Sequence, residues 1–139
     1  MDNYQEVDAA IVYFALDSAV LTPEAKKNLD NLAQEALAQK AYKIEVSGFA
    51  DITGSSSYNQ ILSGERANAV MHYLEEQGNI PIYRITTPAG MGTSHEAASN
   101  STPEGRKLNC RVEVTILVNQ GVVAGAGTSE TLSAAVSQQ

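Results

Sequence analysis

Short apolar runs alternate along this chain with apolar stripes at helical spacing, and that alternation predicts a mixed α/β order of elements. Ala9 to Phe14 carries β-branched and aromatic residues on both faces, which predicts a strand covered on two sides and therefore central in its sheet. Thr22 is a natural N-cap and Pro23 a natural first helical residue. Ala25, Leu29, Leu32, Ala33, Ala36 and Leu37 then recur at spacings of three and four, predicting a helix that runs to Gln39. Ile44, Val46 and Gly48 alternate with Glu45, Ser47 and Phe49, predicting a second strand from Lys43 to Asp51. After a turn at Gly54, Ser55 or Ser56 caps a second long helix through Glu76, closed by Gly78 and Pro81. Ile82 to Thr87 reads as a third strand, followed by a glycine-punctuated loop through Gly90 and Gly92 to Gly105. Cys110 to Val118 is the last strand, with Cys110, Val112, Val114, Ile116 and Val118 on one face and Arg111, Glu113 and Thr115 on the other.

Length and composition narrow this picture. A chain of 139 residues with 43% hydrophobic and 18% charged residues predicts one globular unit with a real core. A compositional break near Asn119 divides it into a domain over 1–118 and a Gly/Ala/Ser-rich tail over 119–139, read as flexible, in which Ser129 could cap a short helix through Ala135. The net charge of −7 repels phosphate backbones and anionic headgroups, which excludes nucleic acid as the expected partner. No apolar run approaches the roughly 18 residues that span a bilayer, and the first residues lack a basic, then apolar, secretion signal. Either a cytosolic chain or the mature fragment of a larger exported protein fits. The single cysteine, Cys110, cannot form an internal disulfide and reads as a small buried hydrophobe rather than a reactive thiol.

Candidate chemistry concentrates on the second helix. Asn59, Leu62, Arg66, Val70 and Tyr73 fall on one stripe and Glu65, Asn68, His72 and Glu76 on the opposite one. Arg66 is therefore drawn toward the sheet, and a buried guanidinium needs an anionic partner. Spacing leaves two readings. The commoner is a structural salt bridge to Asp51 at the end of the second strand. The other is a site in which both groups stay partly open, one offering a negative charge and the other a planar fork for a carboxylate. His72 and Glu76 stand at i and i+4, but with only His95 as a further histidine they read as a solvated face, so no metal or cofactor is expected. No nucleophile elbow, phosphate-cradling loop or dinucleotide fingerprint occurs, so no catalytic residue is assigned and the chain is not expected to be an enzyme.

Several ordered motifs then coincide: Tyr13-Phe14 with Asp17-Ser18 leading into Leu21-Thr22-Pro23-Glu24-Ala25; Gly48-x-x-Asp51; Gly54; Tyr58-Asn59-x-x-Leu62-Ser63-x-x-Arg66-Ala67-x-x-Val70; Arg84-Ile85; Gly90-x-Gly92; and Asn109-x-Arg111-Val112-Glu113. From Ala9 to Val118 the chain resembles the OmpA C-terminal-like domain shared by OmpA, Pal and MotB-type proteins. The resemblance implies a sandwich of about four mixed strands with two long helices packed on one face. It also implies a periplasmic module of Gram-negative bacteria that binds peptidoglycan noncovalently, through the meso-diaminopimelate of the stem peptide. Asp51 falls on the family's ammonium-binding aspartate and Arg66 on its carboxylate-binding arginine. By the same resemblance Asn59, Leu62 and Ser63 shape the pocket and Arg111 is a further candidate at its rim; strand alternation, which sets Arg111 opposite the apolar face, fits an exposed position there. The module would tether a larger outer-membrane or envelope protein to the cell wall, reaching any membrane only through a further N-terminal region, with dimerisation left open.

The chain departs from the family pattern at Phe49-Ala50, where histidine and threonine are usual, and at Cys110, where arginine is usual. Two polar groups and one cation are thereby missing. Those losses support a rival reading, a degenerate copy of the fold used only for protein assembly. A wall-active hydrolase is the second rival, disfavoured by the lack of a nucleophile or metal constellation.

Overall fold

The structure is a computed structural model that describes residues 3–120; the proposed tail beyond Gln120, with its expected helix from Ser129, lies outside the described residues. Four strands form one sheet in the order β1, β4, β2, β3: β1 is Tyr4–Tyr13, β2 Tyr42–Gly48, β3 Ala89–Gly90 and β4 Arg111–Asn119. β4 runs antiparallel to both β1 and β2, and β3 pairs parallel with β2. Three helices complete the fold: α1, Pro23–Leu37, α2, Ser56–Glu76, and α3, Pro103–Asn109.

α1 and α2 cover one sheet face with the residues the periodicity picks out. Leu29, Leu32, Ala33 and Ala36 of α1 and Ala67, Val70 and Leu74 of α2 bury against Val12, Ile44, Val46, Val112, Val114 and Ile116. Both helices start where capping chemistry places them: Thr22 accepts from the Ala25 amide at 3.0 Å and Ser55 from the Tyr58 amide at 3.1 Å. α2 ends differently from the expectation. The left-handed residue after it is Asn79 (φ 60°) rather than Gly78, whose missing Cβ instead admits Ala33, since a Cβ there would lie 2.9 Å from that of Ala33.

Three expectations are corrected. β1 is an edge strand, not a central one: Val12 faces the core, but Ile11 and Tyr13 on its other face are each 46% exposed. An apolar run on both faces does not tell a strand covered twice from an edge strand with one bare side. The segment 82–87 is not a strand but a 3-10 turn, Ile82–Arg84, and a single bridge from Ile85 to Ile44. Pro88 has no amide to continue the ladder, so pairing resumes only at β3. Inside the presumed loop, Thr102 caps α3 by accepting from the Gly105 amide at 3.0 Å, repeating the Thr-Pro-Glu start of α1.

Gly64 lies in the middle of α2, and a Cβ built on it meets no heavy atom within 4 Å. Gly64→Ala should therefore stabilise the domain by about 1 kcal/mol, the difference in helix propensity. Urea unfolding checks this, and a lowered midpoint would contradict the open space.

Candidate functional site

The C-terminal ends of β1 and β2 and the N-terminal end of β4 meet at one end of the sheet, where the inward stripe of α2 passes over them. Arg66 occupies that junction with 0% of its surface exposed. Nε donates to the Ser18 carbonyl at 2.8 Å, Nη1 to the Phe49 carbonyl at 3.0 Å and Nη2 to the Ala15 carbonyl at 3.0 Å. The guanidinium also lies 5.4 Å from the centre of the Phe14 ring. Guanidinium carries five N–H donors; the three carbonyls take three of them, and the Cys110 thiol lies against the same group. Among the described residues no carboxylate lies within ion-pair distance of Arg66.

Asp51 is 4% exposed, and its carboxylate is met only from its own turn, by the Thr53 amide and the Thr53 hydroxyl, each at 3.1 Å. Among the described residues it too has no ionic partner. The Asp51–Arg66 salt bridge, the commoner of the two readings from spacing, is thus not formed. The partly open alternative is corrected as well, because both groups are buried. What the sheet end holds is two opposite charges, each withdrawn from water and neither neutralised by the other. Asn59, one turn after the start of α2, adds a third feature: its buried side-chain amide has no hydrogen-bond partner among the described residues. Buried amides without partners are rare in folded proteins, and a ligand is one of the ordinary reasons for one.

Cys110 connects the pair. Its thiol is buried beside both charges, and burial pushes its pKa up, opposed by the Arg66 guanidinium and reinforced by the Asp51 carboxylate. The thiol stays protonated and inert at neutral pH. Alkylation by iodoacetamide at pH 8 should be slow in the native protein and fast in denaturant, as mass spectrometry would read; equal rates would mean an accessible thiolate.

The other expected site residues divide. Leu62 is buried on the same stripe. Ser63 is buried but fully engaged: its hydroxyl donates to the Gln60 carbonyl at 2.9 Å and accepts from the Gly92 amide at 2.8 Å, tying the 91–102 loop to α2. Arg111, expected at an exposed rim, is 3% exposed. It pairs with Glu113 at 2.8 Å, donates to the His95 carbonyl at 2.7 Å and lies 3.9 Å from the centre of the Phe49 ring. Strand alternation does set it opposite the apolar face, but the 91–102 loop folds over that face. Phe49 gives Arg111 a stacking platform, and its backbone carbonyl holds Arg66. The sequence gives no sign of the carbonyls of Ala15 and Ser18, because a backbone acceptor leaves no mark in residue type.

Comparison with known proteins agrees with this architecture. A model of the OmpA family matches residues 13–110. Outer membrane protein A of Bordetella avium is 41% identical over 108 residues, which cover 78% of this chain and 55% of that protein. Peptidoglycan-binding protein ArfA of Mycobacterium tuberculosis is 35% identical over 105 residues, 76% of this chain and 32% of that protein. The crystal structure of the peptidoglycan-associated lipoprotein from Burkholderia pseudomallei superposes with a TM-score of 0.71 at 24% identity, covering 76% of this chain and 88% of that one. The chain belongs to the OmpA family. It spans 55% of the length of the first of these relatives and 32% of the second.

Proposed function

We propose that this domain binds peptidoglycan noncovalently by receiving the zwitterionic end of meso-diaminopimelate between Asp51 and Arg66. The observation that carries this reading is a fully buried guanidinium with no carboxylate partner, close to a buried carboxylate with no cation. Leaving either charge unpaired in the interior costs several kcal/mol, which a ligand carrying the mirrored pair relieves. The diaminopimelate carboxylate would pair with the Arg66 guanidinium, its ammonium would meet Asp51, and the amide of Asn59 would hydrogen-bond either group. The name of the related ArfA supports the wall as the ligand.

At contact distance each ionic pairing gains about 1 kcal/mol in bulk water and about 4 kcal/mol at an effective dielectric of about 20. Burial is therefore what makes the site strong, and it requires the 15–18 or 51–55 turn to part as the ligand enters. The domain acts without turnover. In the whole protein it would serve as a periplasmic anchor, with the outer membrane reached through a part beyond this chain; among the described residues no helix is long and apolar enough to cross a membrane.

Pull-down with purified sacculi, competed with free meso-diaminopimelate, tests the reading. A lysine-type wall offers the ammonium without the carboxylate beside it, leaving Arg66 unpaired. It should bind at least about tenfold more weakly, because a lost charge-assisted hydrogen bond is worth about 1.5–3 kcal/mol. Equal retention on the two wall types would contradict the mechanism. The replacement of polar groups by Phe49, Ala50 and Cys110 favours the assembly-module rival, and folded protein that binds neither wall would decide for it.

A further inference from the structure

Of the two edges of the sheet, β3 offers two residues and β1 ten. The Phe14 amide donates to the Cys110 carbonyl at 2.8 Å, which turns the backbone groups of the even-numbered residues from 8 to 14 toward β4. The amides and carbonyls of Ala9, Ile11 and Tyr13 therefore point outward, and among the described residues no hydrogen bond closes them. The register shift between Glu6 and Asp8 interrupts this edge, as bulges on natural edge strands do, but residues 9–13 beyond it pair with β4 without a break. A cleft of about 130 Å³ separates the edge from α1, lined by Ile11, Tyr13, Thr22, Glu24, Ala25 and Asn28. That is below the roughly 300 Å³ at which small-ligand sites begin, and it suits single side chains of a strand laid along the edge.

The charges around this edge have one sign. The flank of α1 beside it carries Glu24, Asn28, Asn31 and Glu35 at spacings of three and four, and β1 itself carries Glu6 and Asp8. The Glu35 and Asp8 carboxyls are hydrogen-bonded to each other, a contact that pushes the Glu35 pKa up. Among the described residues none of these four acids has a cationic partner, and neither Lys26 nor Lys27 of α1 pairs with them. Two carboxyls in contact without a cation are what an incoming ammonium or guanidinium relieves. We propose that the outer edge of β1 is a docking site for an extended, lysine- or arginine-bearing segment of a partner protein, which joins the sheet as a fifth strand along residues 9–13. The open backbone groups supply the ladder, Ile11 and Tyr13 pack against its alternate apolar side chains, and Glu24, Asp8 and Glu35 receive its cations. A second copy of this chain fits less well, because it meets an acidic edge with the same acidic edge. Residues 121–139 of the chain carry no lysine or arginine to offer. This surface is separate from the charged pair at Asp51 and Arg66, so the inference stands or falls apart from the wall-binding reading.

Nuclear magnetic resonance titration of the full 139-residue chain with three designed seven-residue peptides tests this. One alternates valine with lysine, the second alternates valine with glutamate, and the third is the lysine peptide with alternate amides N-methylated so that it cannot form a ladder. The lysine peptide should slow hydrogen exchange at the amides of Ala9, Ile11 and Tyr13 and bind about tenfold more tightly than either of the others. Ile11→Pro deletes the central outward amide without touching the ladder to β4, and should abolish that protection. Asp8→Asn with Glu35→Gln should weaken the lysine peptide at least threefold. Circular dichroism verifies that both variants are folded. Absence of binding by the lysine peptide, equal binding of the lysine and glutamate peptides, or undiminished binding of the N-methylated one overturns the proposal. So does protection that maps away from residues 9–13. Self-association of the wild type that Ile11→Pro removes, with no peptide bound, overturns it in favour of a second copy of this chain.

Discussion

Asp51→Asn is expected to lower the affinity for diaminopimelate-type sacculi by a factor of about 100 or more, with the fold intact. In the structure the Asp51 side chain holds only Thr53, through a local turn that an asparagine oxygen also closes, so the effect on stability should stay below about 1 kcal/mol. The ligand's ammonium, in contrast, loses its only anionic partner. A contact pairing of about 4 kcal/mol, reduced by desolvation, leaves the stated factor. Arg66→Ala is a less selective probe, because it also removes the donor to the part-buried carbonyls of Ala15 and Ser18 and strands the buried carbonyl of Phe49, the last at about 1–3 kcal/mol. Retention of Asp51→Asn on sacculi at the wild-type level would remove the charged pair from the binding account.

Gly48→Ala should destabilise the domain by about 3 kcal/mol or more. A Cβ at this position would lie 2.0 Å from the backbone oxygen of Ser63 and 3.2 Å from the Ala67 amide nitrogen. Both are main-chain atoms of α2, so no side-chain rotation gives relief and the helix must lift from β2. Because Arg66 rides on the same turns, ligand affinity should fall together with stability. Thermal and urea unfolding measure the first effect, and Gly64→Ala serves as the control on the same helix. A midpoint within about 0.5 kcal/mol of wild type would show that α2 is less tightly seated than its contacts indicate.

How far the sequence speaks for the structure depends on where the governing chemistry sits. Thr22-Pro23 and Ser55 state the starts of α1 and α2 because caps are local side-chain events, and the inward path of Arg66 follows from helical spacing alone. α3 was legible too, in the repeat of Thr-Pro-Glu at Thr102, but seven residues are too short for an apolar stripe to show. The rank of β1 in the sheet is a different kind of fact. It depends on which strand lies next to which, and Ile11 and Tyr13 are as apolar on a bare edge as they would be in the interior. The burial of Arg111 was hidden for the same reason: the loop that covers it meets it through the His95 backbone, not through a complementary side chain.

Sheet order has a consequence for how this chain reaches its native form. β4, the last described strand in sequence, is the one that joins β1 to β2, and its pairing brings Asn119 opposite Tyr4. Until that segment has been synthesised, the first two strands have no common neighbour and the ends that carry Ala15, Phe49 and Cys110 are not brought together. Assembly is thus dominated by distant pairings, which are slow to find. A nascent chain would remain without its charged cradle until almost all of residues 3–120 had emerged.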